Sequence, residues 1–325
     1  MCTAMAYRNN GLYFLRNFDY ERSFSQKITA VPKNFPLHFR HQATILEHYG
    51  ILGVARTEQN IPLFFDAMNE QGLCMAGLNF VGNAFYKKPL TGFFNITHFE
   101  LIFWVLSQCK TVREAEALLK RTSVTNTAFN EATPPAELHW LIADGTETLV
   151  AEPTVDGLKI YKNDVHVLTN NPPFDCQRAM LNQYYGVSSR PPVNRFAENI
   201  TLKQFSRGMG ALGLPGDLSS MSRFVRAAFV LGNTVSSERL ETNVSASFHL
   251  LSAVEQWRGC CRLLDDSLEY TIYSAVMSTN NKTYYFKTYD GGNIGEVSFH
   301  DFPLNGERLY HYSMDLPFET KKPVR

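Results

Sequence analysis

Strand-like and helix-like segments do not alternate regularly along this chain, and that order constrains the fold more than any other feature. The opening reads as a hairpin: Cys2 to Tyr7 alternates loosely, Asn9-Asn10-Gly11 supplies turn residues tolerant of positive φ, and Leu12 to Leu15 runs back. Capping-box patterns at Thr97/Glu100 and Thr111/Glu114 stand before Phe99 to Leu106 and before Ala115, Leu118 and Leu119, predicting two consecutive helices. A second hairpin follows, with Leu138 to Ala143 and Thr148 to Glu152 flanking Asp144-Gly145. Leu158 to Tyr161 and Val165 to Leu168 read as further strands. Helical spacing returns at Cys176 to Tyr185, at Ser222 to Leu231 behind the cap candidates Ser219 and Ser220, and at Ala246 to Val254. Tyr270 to Met277, Thr283 to Thr288 and Ile294 to Phe299 are then rich in strand-forming residues. Antiparallel sheets packed against helices satisfy this order; a doubly wound parallel sheet does not.

With 325 residues, 44% of them hydrophobic and 19% charged, the chain can bury a large core as one domain or two intimate ones. Basic and acidic residues balance at 31 each, and no long basic run offers to neutralise a phosphate backbone, which argues against a nucleic-acid partner. The longest strongly apolar stretch, Leu101 to Leu106, falls far short of the ~20 residues of a membrane span, and no basic segment with an apolar run opens the chain. The expected location is cytoplasmic. Cys2, Cys74, Cys109, Cys176, Cys260 and Cys261 show neither zinc-site spacing nor a compact disulfide framework, and read as reduced thiols. Cys74 and Cys109 lie in apolar surroundings that suit packing.

Cys2 stands apart because it follows the initiator methionine. Removal of Met1 would leave one residue carrying both a thiol and an α-amine, a nucleophile with its own base, since a free terminal amine titrates about 7.7–8.0 and a thiol about 8.5. The competing account is a frayed terminus with an incidental cysteine; placing Cys2 inside a paired strand argues against it. Arg16 and Asp19, at the end of the second hairpin strand, can approach Cys2, where a guanidinium favours thiolate and a carboxylate can hold an amine. Asn79 and Asn170 each close an apolar strand, where an amide can supply a fixed N–H to an oxyanion. Taken alone, Arg16 and Asp19 also fit a surface pair, and each asparagine a turn cap.

Together these segments carry a resemblance. Met1-Cys2-Thr3-Ala4, Arg16-Asn17-Phe18-Asp19-Tyr20, Asn69-Glu70-Gln71-Gly72-Leu73 through Asn79-Phe80, Leu168 to Pro172, Gly213-Leu214-Pro215-Gly216-Asp217 through Arg223-Phe224, and Tyr270 to Ser274 occur in the order found in the bile salt hydrolases of the choloylglycine hydrolase family, which the chain resembles. The resemblance implies an α+β fold with four αββα layers, that of the N-terminal nucleophile hydrolases, in which two stacked antiparallel sheets lie between helices. It implies one catalytic domain over residues 2–325 with Met1 removed, a homotetramer, and no metal or organic cofactor. It assigns Cys2 as nucleophile and its freed amine as proton acceptor, Arg16 and Asp19 as orienting groups, Asn79 and Asn170 as oxyanion holders, and Arg223 as a further member of the polar network. The implied substrates are glycine- or taurine-conjugated bile salts.

Phe18, Phe24, Phe65, Phe129 and Leu138 fall in segments resembling the family's steroid-lining loops, though any of them could instead be ordinary core. Ser206-Arg207-Gly208 resembles the loop type linked to taurine preference, and a guanidinium suits a sulfonate. Penicillin V acylases share the nucleophile and fold but typically carry tyrosine where this chain has Asn79. A catalytically silent bile- or lipid-binding protein is a further alternative, although each position expected to act has the right chemical type. Leu15 departs from the glycine that commonly precedes the Arg-Asn pair and adds bulk near the expected site; Leu73-Cys74-Met75 varies a Gly-rich stretch.

Overall fold

The opening hairpin forms where its turn residues require it. Strand β1 (Cys2–Arg8) pairs antiparallel with β2 (Leu12–Tyr20) in the register Cys2↔Phe18, Thr3↔Asn17 and Ala4↔Arg16. Asn10 and Gly11 take positive φ values of 49° and 132° between them, a conformation these two residue types tolerate. The computed structural model describes residues 1–319; residues 320–325 of the expected domain lie outside the described residues.

Strands β3 (Lys27–Val31), β4 (Ile51–Glu58), β5 (Ile61–Asn69), β6 (Cys74–Asn79) and β7 (Phe94–Thr97) follow, then helices α1 (Leu101–Gln108) and α2 (Val112–Leu119). Next come β8 (Thr122–Thr125), β9 (Leu138–Ala143), β10 (Thr148–Thr154), β11 (Gly157–Lys162) and β12 (Val167–Leu168). Helices α3 (Phe174–Met180), α4 (Ser220–Asn233) and α5 (Leu240–Ser252) precede β13 (Cys261–Arg262), β14 (Leu268–Ser278), β15 (Thr283–Thr288), β16 (Gly295–Ser298) and β17 (Tyr310–Tyr312).

Two antiparallel sheets result. One runs β12-β1-β2-β14-β15-β16 with β13 beside β14, the other β11-β10-β9-β6-β5-β4-β3-β17, while β7 and β8 form a small parallel pair. Helices α1 and α2 pack on β5, β6 and β10 of the eight-stranded sheet, and α4 and α5 on β1, β2 and β14 of the seven-stranded sheet. The layers are therefore helix, sheet, sheet, helix, as the resemblance implied. Apolar side chains on both faces of each sheet follow from this layering. A large core joins Met5, Phe14, Leu52, Leu78, Phe224 and Leu251, and a second gathers Ile102, Trp104, Trp140 and Ile142 beneath α1 and α2. No helix among the described residues is long and apolar enough to cross a membrane.

Local signals held unevenly. Thr111 caps α2 by accepting the Glu114 N–H at 3.2 Å, but the Thr97 box is half made. Glu100 accepts the Thr97 N–H at 2.9 Å, while the Thr97 hydroxyl has no partner and Glu100 itself takes the N-cap position. The helix expected from Cys176 begins at Phe174, directly after Pro173, and tightens into a 3-10 turn at Leu181–Tyr184. Strand β12 holds only Val167 and Leu168, since His166 takes φ of 61°.

Gly53 lies opposite Ala67 in the β4–β5 ladder, and a Cβ added there would sit 2.2 Å from the Asp66 carbonyl oxygen and 2.5 Å from Ala67 Cβ. Because the first obstacle is backbone, it cannot swing aside. Gly53→Ala is expected to destabilise the fold by about 1–3 kcal/mol, the usual range for overpacking, measured as a lower urea midpoint. An unchanged midpoint would show that the two strands can separate without cost.

Candidate active site

Side-chain alternation along β1 and β2 sorts the site into two faces. Cys2, Arg16 and Phe18 point between the sheets, toward β6, whereas Thr3, Asn17 and Asp19 point toward α4, α5 and the strands beside them. The contacts show this division: Arg16 reaches the Gly77 carbonyl on β6, while Asn17 donates to Leu251 O at the end of α5. Leu15 shares the Asn17 face and does not line the cavity described below, so its bulk is not spent on the pocket.

Between the sheets, Arg16 Nη2 lies 3.1 Å from Cys2 Sγ and 2.7 Å from Gly77 O. Both side chains are buried, so the guanidinium acts on the sulfur with little screening by water. Behind Arg16, Asp66 Oδ2 stands 4.0 Å from Nε and accepts the Tyr273 hydroxyl, while Oδ1 accepts that of Tyr284, each at 2.5 Å. Burial works to lower the Arg16 pKa but is outweighed by Cys2, Tyr273, Asp66 and Asp19, and the net shift is upward. Burial pushes the Asp66 carboxyl up, against Arg16 and the two hydroxyls.

On the other face, Arg223 rises from α4 and donates through Nη1 to Cys2 O and Thr3 Oγ1, both at 2.6 Å, and through Nη2 to Asn170 Oδ1 at 2.8 Å. Burial lowers its pKa, opposed by Asp19 and Cys2 among others. Asp19 Oδ1 accepts the Thr271 hydroxyl at 2.6 Å, and Oδ2 lies buried without a hydrogen-bond partner, 3.8 Å from Arg223. Met1 precedes Cys2 here and extends β1 by one residue, its ammonium bonded to Asp19 O and paired with Glu269. The Cys2 nitrogen donates to Asn170 Oδ1 at 2.7 Å. Asn170 Nδ2 in turn donates to Asn79 O at 2.8 Å.

Cys2 and Arg16 form the floor of a cavity of about 380 Å³, within the size range of small-molecule sites. Its lining includes Phe18, Phe24, Phe65, Asn79, Phe129 and Leu138, so all five expected apolar residues meet there. Tyr20, His98 and Phe99, with Ala132 to Ala136, complete much of the wall and were not singled out in sequence. The rings of Phe18 and Phe65 lie 4.8 Å apart and those of Phe99 and Phe129 5.2 Å apart. Burial pushes the His98 imidazole down to about 4, so at neutral pH it joins the wall uncharged. Arg207 does not line this cavity; it lies exposed on the loop before Gly213.

Sequence reasoning brought forward Cys2, Arg16, Asp19, Asn79, Asn170 and Arg223, and the structure gathers all six around one cysteine. It missed Asp66 and Tyr284, and it named Thr271 and Tyr273 only within the Tyr270 to Ser274 segment of the resemblance, with no role at the site. Asp66 is the one charge within the otherwise uncharged Ile61–Asn69, a signal that was available.

A buried cysteine at the head of a strand, within stacked antiparallel sheets and facing an aromatic-walled cavity, is the arrangement of the N-terminal nucleophile amide hydrolases. The chain belongs to the choloylglycine hydrolase family of linear amide C–N hydrolases, whose model matches residues 2–312. It is 47% identical to the bile salt hydrolase/transferase of Lactiplantibacillus plantarum over 97% of both chains. It superimposes on a crystal structure of a variant conjugated bile acid hydrolase from Clostridium perfringens with a TM-score of 0.91 at 31% identity, covering 99% of each chain. Penicillin V acylase from Agrobacterium tumefaciens shares the fold, with a TM-score of 0.76 at 19% identity over 95% of this chain and 90% of that one.

Arg16→Leu should slow iodoacetamide alkylation of Cys2 at neutral pH about tenfold or more, because the thiolate reacts and an adjacent cation favours it. Equal labelling rates in the two proteins would remove Arg16 from the activation of the sulfur.

Proposed function

We propose that this enzyme hydrolyses the amide bond of glycine- or taurine-conjugated bile salts, in a form that begins at Cys2. The observation that carries the reading is the position of Cys2 Sγ: at the floor of an aromatic-walled cavity and 3.1 Å from a buried guanidinium. A steroid is mostly hydrocarbon and gains by burial against such a wall. Arg22 and Arg56 also line the cavity and suit the anionic character of the substrate.

In this reading, removal of Met1 converts the Cys2 amide nitrogen into an amine next to Asn170 Oδ1. The amine takes the thiol proton, and the thiolate attacks the substrate carbonyl. Asn79, whose side chain has no hydrogen bond among the described residues and lines the cavity, is placed to donate to the resulting oxyanion, with Asn170 beside it. Collapse breaks the C–N bond as the Cys2 ammonium protonates the departing glycine or taurine nitrogen, leaving a bile acyl thioester. The amine then deprotonates water, hydroxide attacks the thioester, and the free bile acid leaves as the thiolate recovers its proton. Asp19, with one buried unpartnered oxygen, would orient the ammonium, and Arg223 would hold Asn170 and the Cys2 carbonyl. The mechanism calls for no metal or organic cofactor.

The loop between Tyr185 and Leu212 exposes Tyr185, Val193, Phe196, Phe205 and Leu212, more apolar surface than a lone subunit usually leaves in one segment. We assign it to subunit contacts in a homotetramer. All six cysteines are unpaired, which supports a cytoplasmic location.

Taurocholate should be hydrolysed faster than penicillin V, and one extra residue fixed before Cys2 should abolish turnover by capping the amine. Faster penicillin V hydrolysis, or full activity in the extended protein, would overturn the assignment. Because Arg207 is exposed and does not line the cavity, Arg207→Ala is expected to leave the taurocholate-to-glycocholate rate ratio unchanged; a lowered ratio would return Arg207 to substrate choice.

A further inference from the structure

His139 on β9 and Glu152 on β10 are fully buried and touch no part of the cavity. His139 Nδ1 lies 3.0 Å from Glu152 Oε1, and Nε2 lies 2.9 Å from Thr169 O. Glu152 Oε1 also accepts the Phe174 N–H at 3.0 Å. The two side chains therefore grip both ends of residues 169–174, the segment that carries Asn170. The face of the imidazole is covered by the Phe80 ring, 4.3 Å away and inclined by 10°, and Phe80 follows Asn79 directly.

The partners dictate the protons. A carbonyl oxygen only accepts, so Nε2 must carry a hydrogen toward Thr169. Nδ1 faces a carboxylate oxygen that is already accepting from Phe174, so another proton must lie between them, on the ring or on the acid. The pair thus holds one proton more than a neutral histidine and an ionised glutamate. A buried pair of this kind is often no more stable than apolar residues of similar volume, so stability alone does not account for it.

We propose that His139 and Glu152 are positioning residues, a proton-sharing clamp that fixes the segment bearing Asn170 and backs the end of the strand bearing Asn79. The clamp acts through those two asparagines and not on substrate, and it rests on their proposed role at Cys2. Removing it should loosen the transition-state contacts more than the apolar cavity, so kcat should fall while KM barely moves.

His139→Leu and Glu152→Leu are expected to lower kcat for taurocholate at least tenfold, since misplacing a reacting constellation by ~1 Å costs about 100-fold, with KM within about threefold. The double variant should cost little more than either single one, because the two act as a unit. Glu152→Gln keeps the shape but not the clamp: in the wild type the single oxygen Oε1 meets both Nδ1 and the Phe174 N–H, and an amide oxygen there keeps the Phe174 bond but lacks the charge that holds the second ring proton, so kcat should again fall at least tenfold with KM within about threefold. Folded leucine variants with wild-type kcat, or a folded glutamine variant with wild-type kcat, would overturn the clamp. If the leucine variants do not fold, ring-¹⁵N spectra of the wild type decide, with a protonated Nε2 supporting the clamp and an unprotonated one refuting it. A wild type unable to hydrolyse taurocholate would instead refute the substrate assignment, and the ring state alone would then judge the clamp.

Discussion

Arg16 carries a permanent charge into the space between two sheets, fully buried at the cavity floor, where Nη2 finds close partners while Nε and Nη1 have no hydrogen-bond partner among the described residues. Its guanidinium meets the Cys2 sulfur and the Gly77 carbonyl at hydrogen-bond distance and Asp66 at 4.0 Å. Burying a charge costs free energy unless partners replace its hydration. Those partners come from three strands: β1 supplies the sulfur, β6 the carbonyl and β5 the carboxylate, which is itself held by tyrosines from β14 and β15. A slip of one residue in β2 would send Arg16 to the opposite face and leave all of them unmatched. The charge therefore ties the register of the opening hairpin to the stacking of the two sheets.

The hairpin also separates tasks. Its inter-sheet face presents the sulfur, the guanidinium and the Phe18 ring to the cavity, so a polar floor meets largely aromatic walls. Its other face presents Thr3, Asn17 and Asp19 to the helical layer, where Arg223 joins the Cys2 carbonyl to Asn170. Cys2 is thereby held from two directions by two arginines with different surroundings. Arg16 has four acidic groups near it, Cys2, Tyr273, Asp66 and Asp19, and is pushed up, while Arg223 is dominated by desolvation and is pushed down.

Helix capping, hairpin turns and strand composition were legible because they depend on neighbours in sequence: Thr111 caps α2, and Asp144-Gly145 joins β9 to β10. Thr97 was legible only in part. The pattern in the sequence was right, but its hydroxyl stays unpaired while the Glu100 carboxylate makes its bond and also accepts the Arg40 N–H. Strands such as Lys27–Val31 and Tyr310–Tyr312 were not singled out, since their pairing joins segments at opposite ends of the chain.

The sequence alone determined the chemical kinds present at the site: a cysteine behind the initiator methionine, two arginines, an aspartate and two asparagines at strand ends. Side-chain chemistry and turn preference are local properties, and they survive in a string of letters. Only the tertiary structure decided which of these groups meet. Arg16 and Asp19 are three residues apart yet face different layers, and Asp66 and Tyr273 are far apart in sequence yet share a hydrogen bond. It also separated Arg207, exposed on its loop, from the cavity. Such meetings depend on sheet register and layer packing, which sum interactions over the whole chain and leave no mark at any single position.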